Sequence, residues 1–109
     1  MNLTMTDEIK ALDELIEAVD ACEDKITFKI PTYLRYLRHK IFFSSEGDLD
    51  TTKTLHDILV PGWKWVVSED SAVLFKKQSD DGVQVSASAD TPARAWLIAM
   101  LKAYRETLA

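Results

Sequence analysis

Between Trp63 and Ala89 the chain takes up a hydrophobic period of two three times in succession, and no other feature limits the fold as strongly. Trp63, Trp65 and Val67 alternate with Lys64 and Ser68; Val73 and Phe75 with Leu74 and Lys76; Val83, Val85, Ala87 and Ala89 with Gln84, Ser86 and Ser88. Such alternation is the mark of strands with one covered face. The connections at 69–71 and 79–82 are too short for a crossover, so the strands predict an antiparallel meander. Trp63, Trp65, Val67, Phe75, Val83 and Val85 are expected to face the core. The third strand has one wholly polar face, suited to solvent or a wet interface.

The flanking segments have helical period. Over 7–22, Ile9, Leu12, Leu15, Ile16, Val19 and Cys22 recur at spacings of three and four, with Asp7 and Glu8 at the positive end of the helix dipole and Thr6 as the expected cap. Ile26, Phe28 and Ile30 alternate and read as a short strand ended by Pro31. From Thr32 the period changes again: Tyr33, Leu34, Leu37 and Ile41 form a stripe that predicts a helix over 32–43, followed by a polar loop at 44–50. A short helix capped by Thr51 or Thr52 turns Leu55, Ile58 and Leu59 inward and stops at Pro61-Gly62. Thr91-Pro92 opens the last helix, about 92–107, because the hydroxyl caps an orphan N–H and proline gives up a donor that has no partner there. Its inward stripe is Ala93, Trp96, Leu97, Met100, Leu101, Tyr104 and Leu108, which leaves Ile98 between Lys102 and Arg105 on the polar side. The sum is one α+β domain: a three-stranded antiparallel meander packed with helices.

At 109 residues the chain has room for one such domain, and 47% apolar with 28% charged residues is an ordinary globular balance. No apolar run approaches the roughly 20 residues of a membrane helix, and the start lacks a basic stretch followed by an apolar one, so the expected address is the cytoplasm with no membrane partner. A single cysteine excludes an internal disulfide, and Cys22, His39 and His56 are too few for a zinc framework. No cofactor is expected. Cys22 lies in the apolar stripe of the first helix and is read as a buried structural residue rather than a nucleophile.

The motif T-T-K-T-L-H-D-I-L-V-P-G-W-K-W at 51–65, followed by S-A-S-A-D-T-P-A-R-A at 86–95 leading into an Ala- and Leu-rich helix, resembles the phage ABA sandwich domain family, small proteins of phages and prophages. With the sheet between them the motifs span residues 51–105. The resemblance implies a three-stranded antiparallel sheet packed with helices, a phage or prophage setting, and no activity, because the family carries no assigned catalytic or binding residues to transfer. The chain departs from the pattern at Pro61-Gly62, where members often have one more residue, and 26–43 reads as an insertion.

That insertion coincides with an uneven charge. Residues 1–24 hold eight acids against one lysine, while 25–45 hold Lys25, Lys29, Arg35, Arg38 and Lys40 with no acid; the whole chain is −5. A block of this kind is either a phosphate or nucleic-acid footprint or the complement of the acidic first helix within the molecule. Tyr33, Arg35, Tyr36, Arg38, His39 and Lys40 form the sharpest candidate surface, since aromatic and arginine side chains on one helix contact phosphates and stack on bases. The acidic net charge weighs against nucleic acid.

Other chemistry is thinly supported. His56-Asp57 has no second metal ligand one turn on, at Val60, and reads as a solvent-facing histidine. Gly47, Gly62 and Gly82 are isolated, which excludes a phosphate loop, and Asp80-Asp81 read as turn formers. Trp63, Trp65 and Trp96 are read as core. The leading expectation is a non-enzymatic protein-interaction domain of a phage or prophage; the alternative is weak nucleic-acid binding through 32–43. A homodimer is expected, with Ile98, Phe42 and Phe43 as an apolar contact.

Overall fold

Three antiparallel strands and the helix that follows them organise the chain. The structure, a computed structural model, describes residues 5–21, 26–76 and 84–108. In chain order the elements are α1 (Met5–Asp20), the 3₁₀ turns η1 (Ile26–Lys29) and η2 (Thr32–Leu37), α2 (Arg38–Ser45), α3 (Leu49–Leu59), β1 (Trp63–Val67), β2 (Ser71–Lys76), β3 (Gln84–Ser88) and α4 (Pro92–Leu108). The α+β class and the antiparallel order β1-β2-β3 agree with the period-two pattern.

Register selects the side chains that reach the core. Trp63 pairs with Lys76, Trp65 with Leu74 and Val67 with Ala72, while Leu74 and Ala72 pair across β3 with Val85 and Ala87. Directly opposed residues share a face. Leu74 and Ala72 are therefore covered and fully buried, and Phe75, expected inward, lies half-buried on the other face with Val73. The run 72–75 is apolar at every position, so its alternation has no phase of its own; pairing with β1 sets it, and a shift of one residue exchanges the faces. Trp65, also expected in the core, remains 39% exposed. Val67 and Val85 are half-buried. Val83, Cys22 and Asp80-Asp81 lie outside the described residues.

α4 is the central helix. It packs on all three strands and on α1, α2 and α3, and every residue from Ala95 to Leu101 is buried. Ile98 is thus 2% exposed and not on the surface. An angular projection assumes one covered face; a helix covered on several sides has no wide polar side, so the expected exposure of Ile98 is overturned. The start of α4 is as expected, with Thr91 Oγ1 accepting from the Arg94 amide at 3.1 Å. Thr91→Ala should cost about 1 kcal/mol through loss of this cap, read as a shift in the urea midpoint at unchanged slope.

The first half departs more from its pattern. α1 ends at Asp20 and buries Leu12, Leu15, Ala18 and Val19. Ile26 and Ile30 are both buried, but one opens the turn η1, which packs against α1, and the other follows it in a bend; neither is on a strand. Two isoleucines four apart fit one helical turn as well as they fit alternation, and Pro31 removes a donor that a strand needs. Region 32–43 is a 3₁₀ turn followed by an α-helix, and the helix runs on through Ser44 and Ser45, both buried, where a polar loop was expected. Gly47, at φ 109°, turns the chain in a conformation that L side chains rarely adopt. The cap of α3 is Asp48, whose carboxylate accepts from the Thr51 amide at 3.0 Å and is held below the usual carboxylate range by that bond. Thr52, expected as an alternative cap, is buried instead. Its hydroxyl donates to the Asp48 carbonyl at 2.7 Å, which leaves Ser44 Oγ as the donor in their 2.5 Å contact.

Arg94 ties these halves together. Its Nε and Nη2 donate to the carbonyl of Ser45, the last residue of α2, at 3.1 and 2.7 Å, and its Nη1 donates to Asp90 at 2.7 Å. A guanidinium placed there satisfies a helix-terminal carbonyl and complements the negative end of the dipole.

Candidate functional site

A 3₁₀ turn repeats every three residues, so side chains three apart eclipse one another. Along η2 this puts Leu34 and Leu37 in the core, Tyr33 above Tyr36, and Arg35 in line with Arg38. Tyr33 is a structural residue: its hydroxyl donates to the Glu8 carbonyl at 3.1 Å, and its ring stacks on Tyr104 with centroids 6.5 Å apart. Burial, with the neighbouring Tyr104 and Glu8, pushes the Tyr33 hydroxyl up to about 12. It stays a neutral donor and leaves the candidate surface.

The remaining candidates do come together. Tyr36 is 74% exposed between Arg35 and Arg38, which are exposed, as is His39; Lys40 is half-covered. One turn beyond His39, Phe43 is 50% exposed and meets Phe42 edge-on at 5.7 Å. His39, Lys40 and Phe43 form one wall of a shallow groove of about 300 Å³ whose other wall is Asp50, Thr51 and Thr54 of α3. Ion pairs join Lys53 to Asp57, Arg94 to Asp90 and Arg105 to Asp13. Among the described residues no ion pair joins Lys29, Arg35, Arg38 or Lys40 to Glu14, Glu17 or Asp20 of α1.

His56 is the largest departure from the expected surface. It is fully buried, with Nε2 2.8 Å from the Trp63 carbonyl and Nδ1 accepting from Trp96 Nε1 at 3.1 Å. An indole only donates. Nδ1 must therefore be bare and Nε2 must carry the proton, which fixes the tautomer and the neutral state. Burial lowers the pKa of His56 below the ordinary histidine value, although the bond to the Trp63 carbonyl and the charge of Asp57 oppose this. With both ring nitrogens occupied, His56 has no lone pair or proton to offer a substrate. Its signal lay in the stripe Thr52, Leu55, His56 and Leu59, which is helically spaced but half polar; Ile58, preferred for its hydrophobicity, is exposed.

Around His56 the three tryptophans divide. Trp63 and Trp96 are core, while Trp65 stacks on Trp96 with centroids 5.4 Å apart and carries the Lys53 ammonium 4.9 Å above its ring. Trp96 also reaches a second groove, of about 540 Å³, lined with Leu49, Lys53, Val67, Glu69 and Pro92. Among the described residues no group of three His, Cys, Asp or Glu side chains is placed to hold a metal, and no helix is long and apolar enough to cross a membrane.

No family model, no curated protein and no solved structure matches the chain. These comparisons lend no support to the resemblance of residues 51–105 to the phage ABA sandwich domain family.

Proposed function

We propose that the chain is a non-enzymatic protein-interaction domain that engages an acidic surface of its partner through Arg35, Tyr36, Arg38 and His39. One observation carries this reading: Tyr36 is exposed over three-quarters of its surface and stands between two guanidiniums that have no ion-pair partner among the described residues. Tyrosine and arginine are the residues most enriched at interface centres, because a flat amphipathic ring and a forked cation give contact area and hydrogen bonds for little entropy. The motifs at 51–65 and 86–95 support a phage or prophage setting, with the cytoplasm of a host as its compartment.

A fluorescence anisotropy titration tests this reading with two labelled probes, a glutamate-rich peptide and an oligothymidylate. The peptide should bind, and Arg35→Ala/Arg38→Ala should weaken it by about tenfold or more, since each lost charge-assisted contact is worth about 1 kcal/mol. Oligothymidylate binding that exceeds peptide binding and falls steeply with salt would transfer the surface to nucleic acid, because phosphate contacts release counterions.

A further inference from the structure

The surface that 26–45 presents has a counterpart on the same molecule. α1 buries Leu12, Leu15 and Val19, and its opposite side carries Glu14, Glu17 and Asp20, all exposed. Glu14 and Glu17 are three apart and therefore neighbours on that side. None of the three takes part in an ion pair among the described residues, whereas Asp13 of the same helix is held by Arg105 at 2.7 Å. Glu14, Glu17 and Asp20 on one segment and Arg35 and Arg38 on the other thus present opposite charges that no ion pair among the described residues compensates. The two segments are also neighbours in space, because η1 packs on α1 and Tyr33 of η2 donates to the Glu8 carbonyl.

We propose that the partner of the Arg35–Tyr36–Arg38 surface is a second copy of this chain, whose α1 supplies Glu14 and Glu17 as the acidic face. The assignment rests on the interaction reading above and names its partner. Adjacent patches of opposite sign suit a two-fold axis between them: each basic surface then meets the other copy's acidic helix, and both contacts fall in one isologous interface. Ion pairs at a solvated surface contribute little by themselves, so they set orientation while Tyr36 of each copy supplies buried aromatic area. Net charge opposes association, since both copies carry −5. Near physiological salt the Debye length is about 8 Å, which screens the overall repulsion and leaves facing charges in contact. At about 1 M salt it falls to about 3 Å, and the exposed facing pairs weaken too.

Sedimentation equilibrium of the full chain decides the matter, with charge reversal as the control for folding. At about 150 mM salt the wild type should sediment at twice its 12.4 kDa, with the dimer weakened about tenfold or more near 1 M salt. Arg35→Glu/Arg38→Glu should be monomeric, since its contacts are then acid on acid, and Glu14→Lys/Glu17→Lys should be monomeric for the converse reason. An equimolar mixture of the two should recover the dimer mass, because both contacts are complementary again; misfolded variants have no such rescue. A wild type that stays monomeric up to about 100 μM, which corresponds to less than about 5.5 kcal/mol of association energy, overturns the proposal. So does a reversed variant that dimerises like the wild type. If self-association fails while the glutamate-rich peptide still binds, only the partner is wrong; if both fail, the interaction reading falls with it.

Discussion

His56→Leu should destabilise the protein by about 3 kcal/mol and remove a pH dependence that the wild type shows. Leucine matches histidine in size but leaves the Trp96 indole N–H and the Trp63 carbonyl without the ring that joins them, and a buried polar group left without its partner costs about 1 to 3 kcal/mol. His56→Gln, with a donor and an acceptor on one amide, should recover part of the loss. The pH effect follows from the direction of the shift. Burial holds the folded-state pKa below the ordinary 6.5, so as pH falls the unfolded chain takes up its proton first. The contribution of His56 is fully present above pH 6.5 and is lost as pH drops from there toward the folded value. Protonation puts a hydrogen on Nδ1, directly opposed to the Trp96 N–H. Urea melts followed by far-ultraviolet circular dichroism at neutral pH and about one and two pH units lower should show this loss in the wild type and not in His56→Leu. Equal slopes with pH in the two proteins would mean that the ring is solvated and the network absent.

Ile98→Glu should cost at least about 4 kcal/mol, a large share of the 5 to 15 kcal/mol that holds a domain of this size together. The carboxylate would enter the middle of a helix covered by the sheet and three other helices. Part of the cost should return at low pH, where the carboxyl is neutral. Phe43→Glu is the matching control, since a half-exposed position of similar hydrophobicity should change stability by no more than about 0.5 kcal/mol. Circular dichroism with urea unfolding compares them. A midpoint for Ile98→Glu close to that of Phe43→Glu would return Ile98 to the surface and with it the apolar contact among Ile98, Phe42 and Phe43.

The candidate surface was legible in part. Arg35, Tyr36, Arg38 and His39 stand out in sequence because charge and aromaticity are local properties, and exposure leaves them as they read. Tyr33 reads the same way, yet it is taken up by Glu8 and Tyr104, residues 25 and 71 positions away. His56 was misread for the complementary reason. A histidine on a half-polar stripe looks solvated until Trp63 and Trp96 arrive from a strand and from a helix 40 residues on to satisfy both nitrogens.

Taken alone, the sequence determined those features that depend on neighbours a few residues apart. The period of two at 63–89 with short connections leaves an antiparallel meander as the simple solution, and Thr91-Pro92 starts a helix wherever it is placed. Elements whose pattern is satisfied by two geometries were decided by tertiary contact. Segment 26–30 became a turn and a bend against α1; β2 took its phase from pairing with Trp63 and Trp65; α4 became buried on nearly every side because it lies among six other elements. Local periodicity records whether a segment has an apolar face. How many faces are covered, and by what, depends on where the rest of the chain lies, and that information is spread over residues distant in sequence.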